Sequence, residues 1–462
     1  MAVARSVCLA LACCVPAAAL KSRALGAARE EPAAEAGGGG SGYFWPSGHG
    51  VVGRYSNSPY MGPKNLSASL AWSWHHPSGR FHTLTFGTAI DDKKNIYLTA
   101  SDAIRKFSPN GTLLWTFPAG WGKEFPNAGT LMDGAFYTSA TDGRVIAIDM
   151  ETGKQAWSNH ASLGIDGTNG FVSAHAGVVV AGTHSKSSNT KVSGFDARTG
   201  NKLWSFAPDA PVWNFLASFP GDGTFTFQDL EGRAYRCSLK DGSLIWKAGG
   251  VKGTWTDGSS LLGPNGVVYT VNTFAGQSGF SKSLHGSLNA YNLSDGGLLW
   301  NFTTPMPPNN LPAIGRLGRS PRLSVVQPIG QQVLKGAPTD VYAFDAETGA
   351  VQWIFKGPSQ QGPFQAGETQ GVKDRMLAGR RPMCLPNPWS APSIDAAGTV
   401  YIGNEEGNFY ALADKDGNGH VEGEGEVSSY NTGACFAGSA GPSHAPGMVV
   451  IASCDTMFVF QV

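Results

Sequence analysis

Charge is scarce in this chain and it cancels. Only 15% of the 462 residues are Asp, Glu, Lys or Arg, and 34 of each sign leave a formal net charge of zero. Such a balance gives no field to hold nucleic acid, and no basic run with interleaved aromatics is present. Long apolar runs are also missing. The stretch Val7 to Val15 is too short for a membrane span. With Arg5 before it and Ala17-Ala18-Ala19 after it, residues 1–19 read as a secretory signal. A lipid anchor at Cys13 is the alternative.

Cysteine is thin too. Cys8, Cys13 and Cys14 would leave with the signal, and Cys237, Cys384, Cys435 and Cys454 would remain. The histidines, His75, His76, His82, His160, His175 and His184 among them, show no zinc spacing. Gly48-His-Gly50-Val-Val-Gly53 fits a dinucleotide-binding pattern but leads into no helix, and Ser439 lacks the strand-to-helix turn of a nucleophile elbow. Residues 20–42, rich in Ala, Glu and Gly, cannot bury a core and read as a flexible tether, so the folded domain is placed at 43–462.

What is abundant is glycine, 62 residues of it, and a recurring tryptophan. Trp72, Trp115, Trp157, Trp204, Trp246, Trp300 and Trp353 follow one another at intervals of 42 to 54 residues, close to the length of a four-stranded propeller blade. The units Val145–Trp157, Val192–Trp204 and Val341–Trp353 each read strand, turn, strand, with Asp149, Asp196 or Asp345 opening the turn and a glycine closing it. The indole then returns on the outer strand to cover the gap between blades, its N–H bonded to a backbone acceptor. An eighth copy, Glu426 to Gly433, has Ser428 in the tryptophan position. The chain ends in two strand-like runs with no outer strand after them, and Leu70-Ala-Trp72-Ser-Trp74 supplies that missing strand. The fold class is therefore all-β: an eight-bladed propeller of four-stranded antiparallel blades, closed by pairing an N-terminal strand with the C-terminal ones.

These units resemble the pyrroloquinoline-quinone (PQQ) repeat family, with its A-x-D-x-x-T-G-x-x-x-W pattern, over roughly residues 43 to 462. The resemblance implies either a quinoprotein dehydrogenase holding PQQ and calcium at the ring centre or a non-catalytic member similar to the lipoprotein of outer-membrane barrel assembly. Fold alone does not choose between them. The dehydrogenases carry an adjacent-cysteine disulfide, whereas the adjacent pair here, Cys13-Cys14, lies in the signal. PQQ thus lacks motif support, and no catalytic residue is assigned.

Connections between blades share one face with the middle hairpins, and that face is expected to carry the long loops and the binding function. Arg316 and Arg319 in one insertion and Arg380 and Arg381 in another are expected to converge as an anion site for a small carboxylated molecule or an acidic glycan; they read equally as solvated loop residues. Trp121, Trp213, Trp255 and Trp389, off the repeat position, would line the mouth of a central channel and stack on a planar ligand or a sugar, or else pack between blades. Asp414, Asp416, Asn418 and Glu422 match the first half of a calcium loop in which position 12 is Gly425 flanked by Glu424 and Glu426, so calcium there is expected to be structural. A Cys435–Cys454 disulfide is favoured within the closing blade, and Asn65, Asn110, Asn292 and Asn301 are glycosylation sequons. The reading is a secreted, periplasmic or lumenal binding module that engages a protein or glycan through its long-loop face. The alternatives are a quinone-dependent oxidoreductase of alcohols or sugars and a glycan-binding surface protein.

Overall fold

In the hairpin after Arg144–Asp149, Asp149 Oδ1 accepts hydrogen bonds from the backbone N–H and the hydroxyl of Thr152, both at 2.7 Å. Gly153 closes the turn at φ 68°. Asp196 with Thr199 repeats the arrangement at the same two distances. A short polar side chain that satisfies the turn's own N–H groups fixes the loop length, and loop length fixes the register of the outer strand. The same donors hold the Asp149 and Asp196 carboxyls below their ordinary range.

Repeated around an axis, this unit builds eight antiparallel sheets. The structure, a computed structural model, describes residues 42–462 except 53, 85–86, 162–171, 184–190, 257, 275–284, 309, 319, 331–334, 363, 380–387, 437 and 439. Compactness separates residues 1–38 from Gly39–Val462, and the ring belongs to the second unit. The signal and nearly all of the tether expected from sequence lie outside the described residues. Blades 1 to 7 follow chain order, their inner strands beginning at Thr88, Thr130, Val172, the Ser218 bridge, Leu261, Ala313 and Ser393. In blade 8 the inner strands Ser443–Ala445, Met448–Ala452 and Thr456–Gln461 are completed by Leu70–His75, paired Trp72 to Val459 and Trp74 to Met457. The expected closure is the one observed.

The seams between blades follow from the tryptophans. The indole N–H of Trp72, Trp115, Trp157, Trp204, Trp246 and Trp300 donates to the carbonyl of Pro109, Met150, Ala197, Leu239, Leu293 and Ala346 in the next blade, at 2.8 to 3.1 Å. Each ring lies on the turn glycine of that blade: a Cβ on Gly200 or Gly242 would come within 2.6 Å of Trp157 or Trp204. Glycine is thus needed there twice, for its positive φ and for the close approach.

Two seams depart from the rule. Between blades 7 and 8 the turn is replaced by the short helix Leu66–Ser69, whose Leu66 N–H donates to Ser428 Oγ at 3.0 Å. A tryptophan at 428 would fill the space this helix takes, which explains the degenerate copy. Between blades 6 and 7 the turn is enlarged to 413–426, and its Gly419–Val421 reach over the outer edge of blade 6. There Ile354 N–H donates to Gly419 O at 3.0 Å and Val421 N–H to Ile354 O at 3.1 Å.

Candidate functional site

The axis is filled rather than open. Described inner-strand residues are buried, Arg316 excepted. Residues 43–63 run across the ring centre and bond to blade after blade. Trp45 exchanges two backbone hydrogen bonds with Ile90, and Leu131 N–H donates to Pro46 O at 2.7 Å. Phe219 N–H donates to Tyr55 Oη at 2.6 Å. Ser58 N–H donates to Ile394 O at 2.7 Å, and Ile394 N–H to Ser56 O at 2.8 Å. His444 of blade 8 bonds Ser393 Oγ at 2.7 Å and packs on Trp45 with ring centroids 5.1 Å apart. Burial pushes His49 and His444 down to about 3, so both imidazoles are neutral at physiological pH.

On the long-loop face, Trp121 is 99% exposed, Trp213 and Trp255 are half-buried, and Trp389 is fully buried between Phe355 and Tyr410. Trp389 therefore packs between blades and stacks on no ligand. The connection from blade 6 to blade 7 contains the helix Thr369–Leu377, which exposes Met376 and Leu377, with Phe364 exposed ahead of it. The helix is tied to the connection between blades 8 and 1 through ion pairs. Arg375 pairs with Glu368 and donates to the Arg80 carbonyl, and Arg80 pairs with Asp455 at 2.8 Å. Burial outweighs Arg375 and leaves the Glu368 carboxyl above its usual range. Beneath this connection Glu405 is buried with neither carboxylate oxygen hydrogen-bonded, and burial followed by the nearby Glu406 pushes it well up.

The closing blade brings two of the cysteines together. Cys435 and Cys454 share one buried cluster, and Cys454 N–H donates to Cys435 O at 2.9 Å. Cys454 is disulfide-bonded. Cys384 lies outside the described residues. Cys237 is fully buried opposite Phe225, and desolvation raises its thiol to about 12.

Topology places one of the expected arginines. Arg316 ends the inner strand of blade 6, and the turn after it carries Arg322, which pairs with Asp345 at 3.3 Å. Asp345 opens the inner-to-outer hairpin turn, so Arg316 and Arg322 lie on the face opposite the long loops. Of the four arginines expected to form the site, Arg316 is thus on the face opposite the 357–388 connection; Arg319, Arg380 and Arg381 are outside the described residues.

That opposite face holds the acidic loop. Asp414 Oδ1 accepts from Gly417 N–H at 2.8 Å, Asp416 Oδ1 from Asn418 N–H at 3.0 Å, and Asn418 Oδ1 from His420 N–H at 2.7 Å. Glu426 Oε1 accepts from Lys415 N–H at 2.6 Å, and these backbone donors hold its carboxyl low. One carboxylate oxygen each from Asp414, Asp416 and Glu426 lie within 4.8 Å of one another. Glu426, and not the expected Glu422, completes the group, because the backbone folds back one residue later than a regular calcium loop would. Asp414 and Asp416 also line a cleft of about 300 Å³ with Ser320, Gln352 and Trp353, at the seam where the usual tryptophan-on-glycine contact is replaced. A second cleft of about 530 Å³ lies between Phe355, Lys356 and the loop residues His420 to Glu424.

Of the sequons, Asn65, Asn110 and Asn301 are exposed. Asn292 is half-buried, with its Oδ1 engaged by Ser294.

Residues 100–257 match the family model described as outer membrane protein assembly factor BamB. A quinohemoprotein alcohol dehydrogenase of Comamonas testosteroni is 26% identical over 219 residues, covering 44% of this chain and 29% of that protein. The chain is an eight-bladed β-propeller whose residues 100–257 are similar to the PQQ-repeat family. Two solved structures share the fold. BamB from Moraxella catarrhalis has a TM-score of 0.57 at 14% identity, covering 85% of this chain and 99% of its own. A europium-containing methanol dehydrogenase has a TM-score of 0.63 at 11% identity, covering 91% and 98%. The match to the Comamonas enzyme spans less than a third of that enzyme's length. Among the described residues no helix is long and apolar enough to cross a membrane. Trp45, His49 and His444 are all buried where the crossing segment meets the inner strands.

Proposed function

We propose that this propeller is a secreted or lumenal binding module that holds a protein partner on its long-loop face. One contrast carries the reading. Trp121, Phe364, Met376 and Leu377 stand exposed on that face, while the ring centre is buried. Large apolar side chains left in water on rigid connections are favourable to bury against a partner and costly to leave bare. The similarity to an outer-membrane assembly factor supports the same reading, and the similarity to the dehydrogenase supports the alternative, a quinone-dependent oxidoreductase of alcohols or sugars.

Two measurements separate them. With calcium present, titration with PQQ followed by tryptophan fluorescence is expected to show no saturation; one-to-one saturation with reduction of an electron-accepting dye would establish the oxidoreductase. Met376→Glu with Leu377→Glu is expected to leave thermal stability nearly unchanged, because both side chains are already in water. A protein recovered with the wild-type ring from its native source and lost with this variant would be the partner; equal recovery with both would remove the face from consideration.

Calcium at Asp414, Asp416 and Glu426 has a structural role in this reading, pinning the enlarged turn of blade 7 over the edge of blade 6. Added calcium should raise the melting temperature of the wild type by a few degrees and leave Asp414→Asn with Asp416→Asn unmoved. A shift of the same size in both would place the ion elsewhere.

A further inference from the structure

We propose that the axis of this ring is an intramolecular peptide site, occupied by its own residues 43–63 where a related propeller would hold a cofactor. The contacts reach around the ring. Tyr43 Oη accepts from Gly134 N–H of blade 2 at 3.0 Å, and Trp45 pairs with Ile90 of blade 1. Val52 packs on the core shared by blades 3 and 4, and Tyr55 joins the core that includes Leu261 and Leu262 of blade 5. At the far end Tyr60 O accepts from Ala396 N–H at 3.1 Å, Gly62 N–H donates to Asp395 Oδ2 at 3.0 Å, and Tyr401 of blade 7 donates its hydroxyl hydrogen to Pro63 O at 3.0 Å.

The ring's own sequence is cut to receive this segment. Gly315 sits in the inner strand of blade 6, where a side chain would normally point inward, and a Cβ there would stand 2.9 Å from the Asn57 amide nitrogen. On the segment, a Cβ at Gly62 would come within 2.7 Å of both the Tyr401 hydroxyl and Val449 Cγ2. At both glycines the space a Cβ would need is taken by side chains across the contact, Asn57 and Ile394 at Gly315 and Tyr401 and Val449 at Gly62. The recognition is that of a peptide: backbone N–H and C=O groups are paired to strand ends, and Trp45 and Tyr55, 2% and 4% exposed, act as aromatic anchors.

Ile90, Gly134, Asp395 and Ala396 lie at the C-terminal ends of inner strands or in the turns after them, so the segment meets the ring there from the face opposite the long loops. It also explains how Leu70–His75 is delivered to blade 8, since the chain must cross the centre and leave beside blade 7 to reach that edge.

The test severs the segment from the strand it feeds. A protease site inserted between Lys64 and Asn65, both exposed, is cut in the folded full-length protein, which is then passed over a sizing column in native buffer with and without excess PQQ and calcium. The amino-terminal fragment should co-elute with the ring under both conditions and separate only in denaturant, and Trp45→Ala with Tyr55→Ala should release it at least tenfold faster. Prompt loss of the fragment from the wild-type ring would overturn the proposal, as would its displacement by the quinone. The inference does not rest on the binding face: the Met376 and Leu377 variant can fail in its assay while the fragment stays bound, and the converse also holds.

Discussion

Trp204→Ala should destabilise the ring by about 3–5 kcal/mol, the usual cost of emptying a buried aromatic site, read as the shift in urea midpoint at constant slope. Three contacts are lost together. The ring stacks on Phe225 of the next blade with centroids 5.4 Å apart, its N–H donates to Leu239 O at 2.9 Å, and its edge covers Gly242. The site cannot collapse to refill the space, because Gly194 beneath it offers no side chain and a Cβ there would already meet the indole at 2.2 Å. Trp204→Phe should cost far less, near the ~1 kcal/mol of a hydrogen bond, since the stack survives. The reverse substitution, Ser428→Trp, should destabilise, because the helix Leu66–Ser69 occupies the position an indole would take. A stabilising Ser428→Trp would mean that the closing seam can adopt the common arrangement after all.

His444→Gln should flatten the acid side of the stability profile. His444 is fully buried and held near 3, against an ordinary value of 6.5 in the unfolded chain. Below pH 6.5 the unfolded state therefore takes a proton that the folded state refuses. Stability falls as pH drops from about 6.5 towards 3, with a limiting slope of about 1.4 kcal/mol per pH unit for one histidine. Its contribution is absent at neutral pH. His49 adds a second term of the same sign. Glu405, whose raised carboxyl favours the protonated folded state, acts in the opposite direction, so the wild-type slope alone is a mixture. Urea unfolding of wild type and His444→Gln between pH 7 and 4.5 isolates the histidine: the gap between their stabilities should change by about 1.4 kcal/mol for each pH unit well below 6.5. A gap independent of pH would show that the imidazole accepts its proton inside the ring, and hence that water reaches the axis.

Sequence by itself determined the architecture, because a propeller repeats a local code. The Asp-x-x-Thr-Gly turn is satisfied within a few residues, the tryptophan spacing counts the blades, and the unpaired Leu70–His75 run has one edge left to fill. Each of these is a short-range or counting constraint that a neighbouring residue enforces. What the tertiary structure decided depended on contacts far apart in the chain. Arg316 moved to the opposite face because it is the last residue of an inner strand of only four residues, Ala313–Arg316, and insertion length alone does not tell which end of a strand a loop leaves from. Trp389 became core because Phe355 and Tyr410 from two blades meet it. Glu426 replaced Glu422 in the acidic loop because that loop's path is set by the blade 6 edge it crosses. The passage of residues 43–63 through the centre left no periodic signal at all. A short segment held largely by backbone groups carries little pattern of its own, and Gly315, which a Cβ would bring against Asn57, stands more than 250 positions away from it.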